Sequence, residues 1–427
     1  MKGGATLSVN TSSTWFNEPK QAWIGLGSLW IIGFISALTR FIMSYFQVQI
    51  SIDLEISRSF ISIAWSTNLL IAALCAPLSG WLVDRFGPKR IILISSVISI
   101  AGTGSVVFGH QSSTVFFIGY GIISGFVGIG TTTTYILIFD WFKHHRAKAT
   151  ALVASASSVG LAVSTPIFVS NSWLTWKDAF IASFVLSILV ALPAIWFGIQ
   201  TSAAQKAETA KDDLDEHQAE PQPVAENRPA LSKGIGVHLP LFIAVAFALF
   251  TCGFNMGTVE MNLVAIHQLA SVTPAMIGLS MGVLGTLEIV GSLLFGYFLD
   301  RANKLVIMSL LYGIRVIGFS LLFMHTEWSP VIFAAAFGIT YLSAIPGGLL
   351  VINEYSKGRG KQAGFLLLFH QGGGILGALL GGLAFDYFGD YQTLIAADIA
   401  VALLAGLGYI ALYTSTLRKQ QPVNAAA

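Results

Sequence analysis

The lysines and arginines of this chain avoid half of its connections. Twelve apolar stretches run over residues 22–46, 60–82, 91–108, 114–139, 149–170, 179–199, 239–264, 275–298, 305–324, 331–352, 362–384 and 391–413. With the N-terminus placed in the cytoplasm, 19 of the 23 Lys and Arg fall in the tails and the even-numbered connections. The odd-numbered connections hold only Arg58 and Lys177, and Arg40 and Arg315 lie inside stretches. Basic residues flanking a span are retained on the cytoplasmic side. The pattern therefore predicts twelve crossings with both termini inside. Most stretches reach the ~20 residues needed to cross a bilayer core; the third is short and is expected to borrow from its flanks. The fold class that follows is an all-α membrane protein.

Apolar residues make up 54% of the chain and charged residues 10%, against roughly 25% charged in soluble domains. That composition argues against a soluble enzyme or a nucleic-acid binder, and the net charge of +2 adds little. The first 21 residues are polar and the first apolar run is long enough to stay as a span, so no cleavable signal is expected. Cys75 and Cys252 both fall within apolar stretches and read as buried thiols, with no disulfide, metal site or cofactor implied.

Residues 200–237 are the one long polar break, with seven acids, four bases and three prolines. Such a segment cannot bury enough surface to fold and reads as a cytoplasmic linker. The expected organisation is a tail over 1–21, a six-helix bundle over 22–199, the linker over 200–237, a second six-helix bundle over 238–413 and a tail over 414–427.

The two bundles repeat. Gly80-Trp-Leu-Val-Asp84-Arg85-Phe-Gly-Pro-Lys89-Arg90 follows the second stretch, and Gly296-Tyr-Phe-Leu-Asp300-Arg301-Ala-Asn-Lys304 follows the eighth, at an offset of 216. Asp140-Trp-Phe-Lys-His-His-Arg146-Ala-Lys148-Ala pairs with Glu354-Tyr-Ser-Lys357-Gly-Arg359-Gly-Lys361-Gln-Ala at an offset of 214. Near-equal offsets imply parallel repeats about an axis along the membrane normal, with a site near midplane between the halves.

The segment from Gly80 to Arg90 resembles the signature Gly-x-x-x-Asp-Arg-x-Gly-x-Lys/Arg-Arg of the major facilitator superfamily. The resemblance implies twelve transmembrane helices in two pseudo-symmetric halves, a cavity lined by helices 1, 4, 7 and 10, and a cytoplasmic gate formed by Asp84, Arg85 and Arg90 with their repeat mates Asp300 and Arg301. Thr39-Arg40-Phe-Ile-Met-Ser-Tyr-Phe, Cys252-Gly-Phe-Asn, Leu311-Tyr-Gly-Ile-Arg315 and Phe337-Gly-Ile-Thr-Tyr341-Leu-Ser-Ala-Ile-Pro346 are similar to the bacterial monocarboxylate-porter-like branch. So are His370-Gln-Gly-Gly-Gly-Ile-Leu-Gly377 and Phe385-Asp-Tyr-Phe-Gly-Asp-Tyr391. Carriers of that branch place a substrate-binding arginine on helix 8, eight residues before the loop aspartate. Counting back from Asp300 gives Ser292 here. Helix 5 reads Ser155-Ala-Ser-Ser-Val-Gly160-Leu-Ala-Val-Ser-Thr-Pro166 and lacks the Gly-Pro-x-x-Gly-Gly pattern of antiporter members, which favours symport or facilitated uptake.

Ionisable residues at membrane depth are costly, and they persist when paired or facing water. Glu288 and Arg315 lie 13.5 residues either side of the turn centred between Arg301 and Ala302. At ~1.5 Å per residue both sit about 20 Å from that turn, and an ion pair between them is expected, serving either proton coupling or structure. Arg40 has no acid at i±3 or i±4 on its own stretch and reads as recognition of an anion, or as a gate or snorkelling residue. Glu260 is about as far along the seventh stretch, where it can pair with Arg40 or carry a proton. His370 is a candidate proton carrier or a satisfied interior histidine. Asp398 reads as structural. Among uncharged residues the cavity positions single out Tyr135, Asn262 and Tyr341 as substrate contacts.

The expected function is a secondary transporter of a small organic anion, working by alternating access with proton-coupled uptake in the cytoplasmic membrane. The expected partners are the anion, protons and lipid, with no nucleic acid and a monomeric state. An exporter of hydrophobic or cationic compounds is the alternative, with Glu260 and Glu288 attracting the cation. A non-transporting membrane sensor is a third, and it has no soluble domain beyond the linker to work with.

Overall fold

The computed structural model describes residues 18–109, 111–142, 145–200, 235–356 and 360–420. Most of the expected linker and of both tails lies outside these residues. Twelve helices are long and apolar enough to cross a membrane: α1 (Lys20–Tyr45), α2 (Arg58–Phe86), α3 (Pro88–Phe108), α4 (Ser113–Trp141), α5 (Lys148–Ser170), α6 (Trp176–Gly198), α7 (Leu239–Leu269), α8 (Pro274–Arg301), α9 (Lys304–Met324), α10 (Ser329–Glu354), α11 (Gly364–Phe388) and α12 (Gln392–Thr416). A short helix, Gln47–Asp53, links α1 to α2. The third helix begins at Pro88, before its apolar run, which supplies the length that the sequence left short.

Local chemistry sets the helix ends. In hydrocarbon every backbone polar group must be satisfied within the protein, so apolar runs become helices and turns retreat to the surfaces. Ser57, Thr175 and Thr273 cap α2, α6 and α8 by accepting from a backbone N–H three residues on, and Thr175 with Asp178 forms a reciprocal capping box. The α2–α3 turn needs Gly87, whose φ of 80° is a region that side chains with a Cβ seldom adopt. The fourth helix is irregular: Phe117–Ile123 is π-helical and Ser124–Gly130 is 3₁₀. Its glycines lie against neighbouring backbone, with a Cβ at Gly128 placed 2.5 Å from Ala72. Close packing on α2 and α3 selects this backbone over a regular α-helix.

Each half packs as a bundle, and the halves meet along α2–α11, α5–α8 and α1–α7. The polar contacts between them gather at the end opposite Asp84–Arg90. There Asp386 accepts from the backbone N–H of Arg58 at 3.0 Å and of Ser59 at 2.9 Å, so a carboxylate from α11 caps α2 across the interface. Ser66 donates to the Ile375 carbonyl at 3.0 Å, and Gln268 to the Tyr45 carbonyl at 3.5 Å. Gln47 donates to Asn262 Oδ1 and accepts from Tyr391, both at 3.5 Å. Among the described residues no hydrogen bond or ion pair joins the halves on the basic side of Arg40. These cross-half bonds lie away from the end that carries Arg85, Lys89, Arg90, Arg301 and Lys304.

Candidate functional site

Arg40 and Glu260 meet at the centre of the molecule. Helix α1 delivers the guanidinium from one half and α7 the carboxylate from the other, and Nη1 donates to Oε2 at 3.1 Å. Nη2 of Arg40 donates to Ser157 Oγ on α5 at 3.2 Å, and the Tyr341 hydroxyl on α10 donates to Glu260 Oε1. Four helices thus converge on one charge pair. The cavity beside it is walled by Phe41, Leu161, Val259, Met281 and Leu284, with Ser157, Thr165, Glu260, Glu288 and Tyr341 as its polar lining. Its free volume is about 20 Å³, of the order that holds one water. A larger ligand must therefore part the Arg40–Glu260 pair to enter.

The side chains of Arg40 and Glu260 are 34% and 18% exposed. They are held by one another across a seam rather than sealed within a bundle. Such a pair can exchange a carboxylate side chain for a carboxylate ligand, because a guanidinium binds both through the same planar fork.

Glu288 lines this cavity too, but it does not pair with Arg315. The ion pairs of the described residues are Arg40–Glu260, His145–Glu18, Lys177–Asp53 and Lys304–Glu354. Arg315 turns away into the second half. Its Nε donates to Thr340 Oγ1 at 3.2 Å, Nη2 to the Thr340 carbonyl at 3.1 Å and Nη1 to Asn255 Oδ1 at 3.5 Å. The Phe337 ring lies beneath the guanidinium at 4.9 Å. Asn255 in turn donates to Asp398 Oδ1 at 2.7 Å. Arg315 is thus linked to Asp398 through Asn255. Counting residues from the turn fixed a common depth for Glu288 and Arg315 but not their rotation about their helix axes. Glu288 faces the cavity shared with α5, while Arg315 faces α7 and α10.

The other expected residues separate. Asn262 is fully buried away from the cavity, where it accepts from Gln47 and donates to the Ala378 carbonyl at 3.5 Å. It is a packing residue at the α7–α11 seam and not a substrate contact in this conformer. Tyr135 is 47% exposed and does not line the central cavity. His370 Nε2 lies 3.4 Å from Met256 Sδ and is also outside that cavity. Ser292 donates to its own helix at the Ile289 carbonyl, 2.8 Å away. Asp84 and Asp300, expected in the gate, are exposed, and neither makes a hydrogen bond or ion pair with a described residue. Arg85 rests on Trp81 at 5.5 Å, and Arg301 on Tyr297 at 3.7 Å; Arg90 is exposed.

Ser157 and Asp386 were not singled out by sequence, and Asn255 only as one polar residue among several at membrane depth. Ser157 sits in a run of small residues with nothing to mark it. Asp386 could have been suspected from an acid at the end of a span opposite the start of a helix, since exposed N–H groups attract carboxylates.

Comparisons with known proteins agree with this architecture. The family model of the Major Facilitator Superfamily matches residues 29–321 and 241–427. The chain is 26% identical to an uncharacterized MFS-type transporter, YcxA, of Bacillus subtilis (strain 168), over 91% of this chain and 95% of that protein. It is 23% identical to the hexuronate transporter of the same organism, over 90% and 92% of the two chains. It is 26% identical to monocarboxylate transporter 13 of Rattus norvegicus, over 82% and 79%. Among solved structures, the nucleoside transporter NupG superposes with a TM-score of 0.69 at 14% identity, covering 92% of this chain and 99% of that one. The D-xylose–proton symporter superposes with a TM-score of 0.68 at 15% identity, covering 91% and 97%.

Proposed function

The chain belongs to the Major Facilitator Superfamily and is a secondary transporter with twelve membrane spans, and from that premise we propose that it takes up a small organic anion, a carboxylate, together with protons. The observation that carries the reading is the Arg40–Glu260 pair: a guanidinium on the axis between the halves, held by a carboxylate that a ligand carboxylate can replace. Branch members carry their anchoring arginine on α8, where this chain has Ser292; here Arg40 on α1 takes that role from the opposite half. Two relatives bear names, hexuronate transporter and monocarboxylate transporter 13, whose substrates are carboxylates. Glu260, released when the substrate takes Arg40, and Glu288 are the acids that carry coupling protons.

The cytoplasmic side is the basic end, which puts both termini inside the cell and the protein in the cytoplasmic membrane. The conformer described is then inward-facing, with Asp386 on α2 and the Arg40–Glu260 pair holding the outer side. In the outward-facing state the basic ends come together and Asp84 accepts hydrogen bonds from the opposite half, with Asp300 as the weaker mate. A single such bond, worth about 1.4 kcal/mol, changes the ratio of the two states roughly tenfold. Asp84→Asn should accordingly raise labelling of a cysteine placed in the inner vestibule; unchanged labelling on both sides would leave Asp84 a plain loop charge.

The test of the transport reading is uptake into proteoliposomes from a panel of carboxylates, with and without an inward proton gradient. Uptake that the gradient stimulates is expected, and Arg40→Lys should lower it at least about tenfold while the protein still inserts, because lysine keeps the charge but not the bidentate fork. Undiminished uptake by Arg40→Lys would remove Arg40 as the anchor. Indifference to the gradient would remove the proton.

A further inference from the structure

Two carboxylates, Glu260 and Glu288, line the central cavity, and the guanidinium of Arg40 stands beside it on Glu260. Glu260 is paired with Arg40. Glu288 is buried, 4% exposed, lines the same cavity and enters none of the ion pairs of the described residues. We propose that the substrate is a carboxylate that also bears an ammonium group: a zwitterionic amino acid with an apolar side chain, its carboxylate on Arg40 and Ser157 and its ammonium between Glu260 and Glu288. This rests on the reading of Arg40 as the carboxylate anchor.

Charge balance carries the inference. A plain monocarboxylate that takes Arg40 displaces Glu260. Two carboxylates then face one cavity without a cation, a state that burial and like-charge repulsion both oppose. Two protons per substrate would be needed to neutralise them. An ammonium set between the two acids offsets one of their charges, so one coupling proton instead of two completes the balance, and the substrate itself carries the ammonium in. The hydroxyl of Tyr341 donates to Glu260 in the conformer described. An amine without a carboxylate has no such economy. It can face Glu288, yet it leaves Arg40 on Glu260 and the two halves tied together at α1 and α7, so its binding is not coupled to their movement. The remaining wall, Phe41, Leu161, Val259, Met281 and Leu284, suits an aliphatic or aromatic side chain and offers nothing to a second charged group.

The experiment is titration calorimetry on the purified full-length protein with matched ligands: alanine, leucine and phenylalanine, the 2-hydroxy acid of the same skeleton for each, and for each the amine that lacks the carboxylate. At least one amino acid is expected to bind about tenfold or more tightly than its hydroxy acid. Glu288→Gln should erase most of that ratio, and Glu288→Asp, which keeps the charge, should retain a preference for the amino acid. Arg40→Lys should weaken both ligands of the pair. If hydroxy acids bind as tightly as amino acids and Glu288→Gln leaves the ratio unchanged, the ammonium is refuted while the carboxylate anchor stands. If amines bind as well as amino acids, both readings fall; if no ligand of the series binds, the zwitterion reading falls and the carboxylate panel decides the anchor.

Discussion

Two buried arginines in this molecule have opposite surroundings. Arg315 is sealed inside the second half, with no exposed surface, and every partner it has belongs to that half: Thr340, Asn255 and, through Asn255, Asp398. Arg40 sits on the seam, a third exposed, with its acid on the other half. Both are guanidiniums at depth, and both looked alike as charges within apolar stretches. What separates them is whether the partner moves relative to them. A pair within one rigid bundle can only hold that bundle together; a pair across the interface can be opened by a ligand or a proton, and opening it frees one half from the other. The place of a partner, rather than burial itself, marks the functional charge.

The comparison breaks most easily at Arg315. Replacing it by methionine leaves Thr340 and the Asn255–Asp398 pair without the guanidinium that ties them together and should cost about 3–5 kcal/mol of stability in detergent. Arg40→Met, at a seam where the side chain is a third exposed and Glu260 can take up a proton once its cation is gone, should cost less than the Arg315 change while abolishing uptake. Thermal unfolding of the two variants side by side measures the contrast, and an Arg40 variant less stable than the Arg315 variant would reverse it.

A smaller effect tests the closed end. Asp386→Ala removes the cap that α11 places on α2, a cap whose loss costs about 1 kcal/mol in ordinary helices. Because this cap crosses the seam, the cost should appear as a shift of roughly fivefold towards the open outer side, read as faster labelling of a cysteine near Ser62 from outside. An Asp386→Ala protein that is merely less stable, with labelling unchanged, would make the cap a structural contact only.

The smallest expected effect is an absence of coupling. Glu288 and Arg315 have separate partners, so their substitutions should add within about 0.3–0.5 kcal/mol in a double-mutant cycle, whereas Arg315 and Asp398 should couple strongly. A large coupling between Glu288 and Arg315 would restore the direct pair that their equal depth suggested.

The sequence alone determined the number of spans and the repeat, because a bilayer imposes length and apolarity on each crossing and retains basic residues on one side. It also determined which residues carry charge at depth, and it anticipated Arg40 with Glu260, since repeat-related helices face one another across the axis at matching depth. It misassigned Glu288 with Arg315 and brought Asn262 into the cavity. Residue counting gives distance along a helix, but the face a side chain presents depends on how close-packed neighbours rotate and tilt that helix. Gly291 lies against Ile339 of α10, and Gly285 lies against Ser158 of α5. These contacts set the rotation of α8 and so turn Glu288 towards the cavity. The cap that Asp386 places on α2 and the route from Arg315 through Asn255 to Asp398 join residues 327 or 328 and 60 or 143 positions apart. Only the packing of the helices brings such residues within hydrogen-bond reach, because that contact energy is gained in three dimensions and leaves no local pattern in the chain.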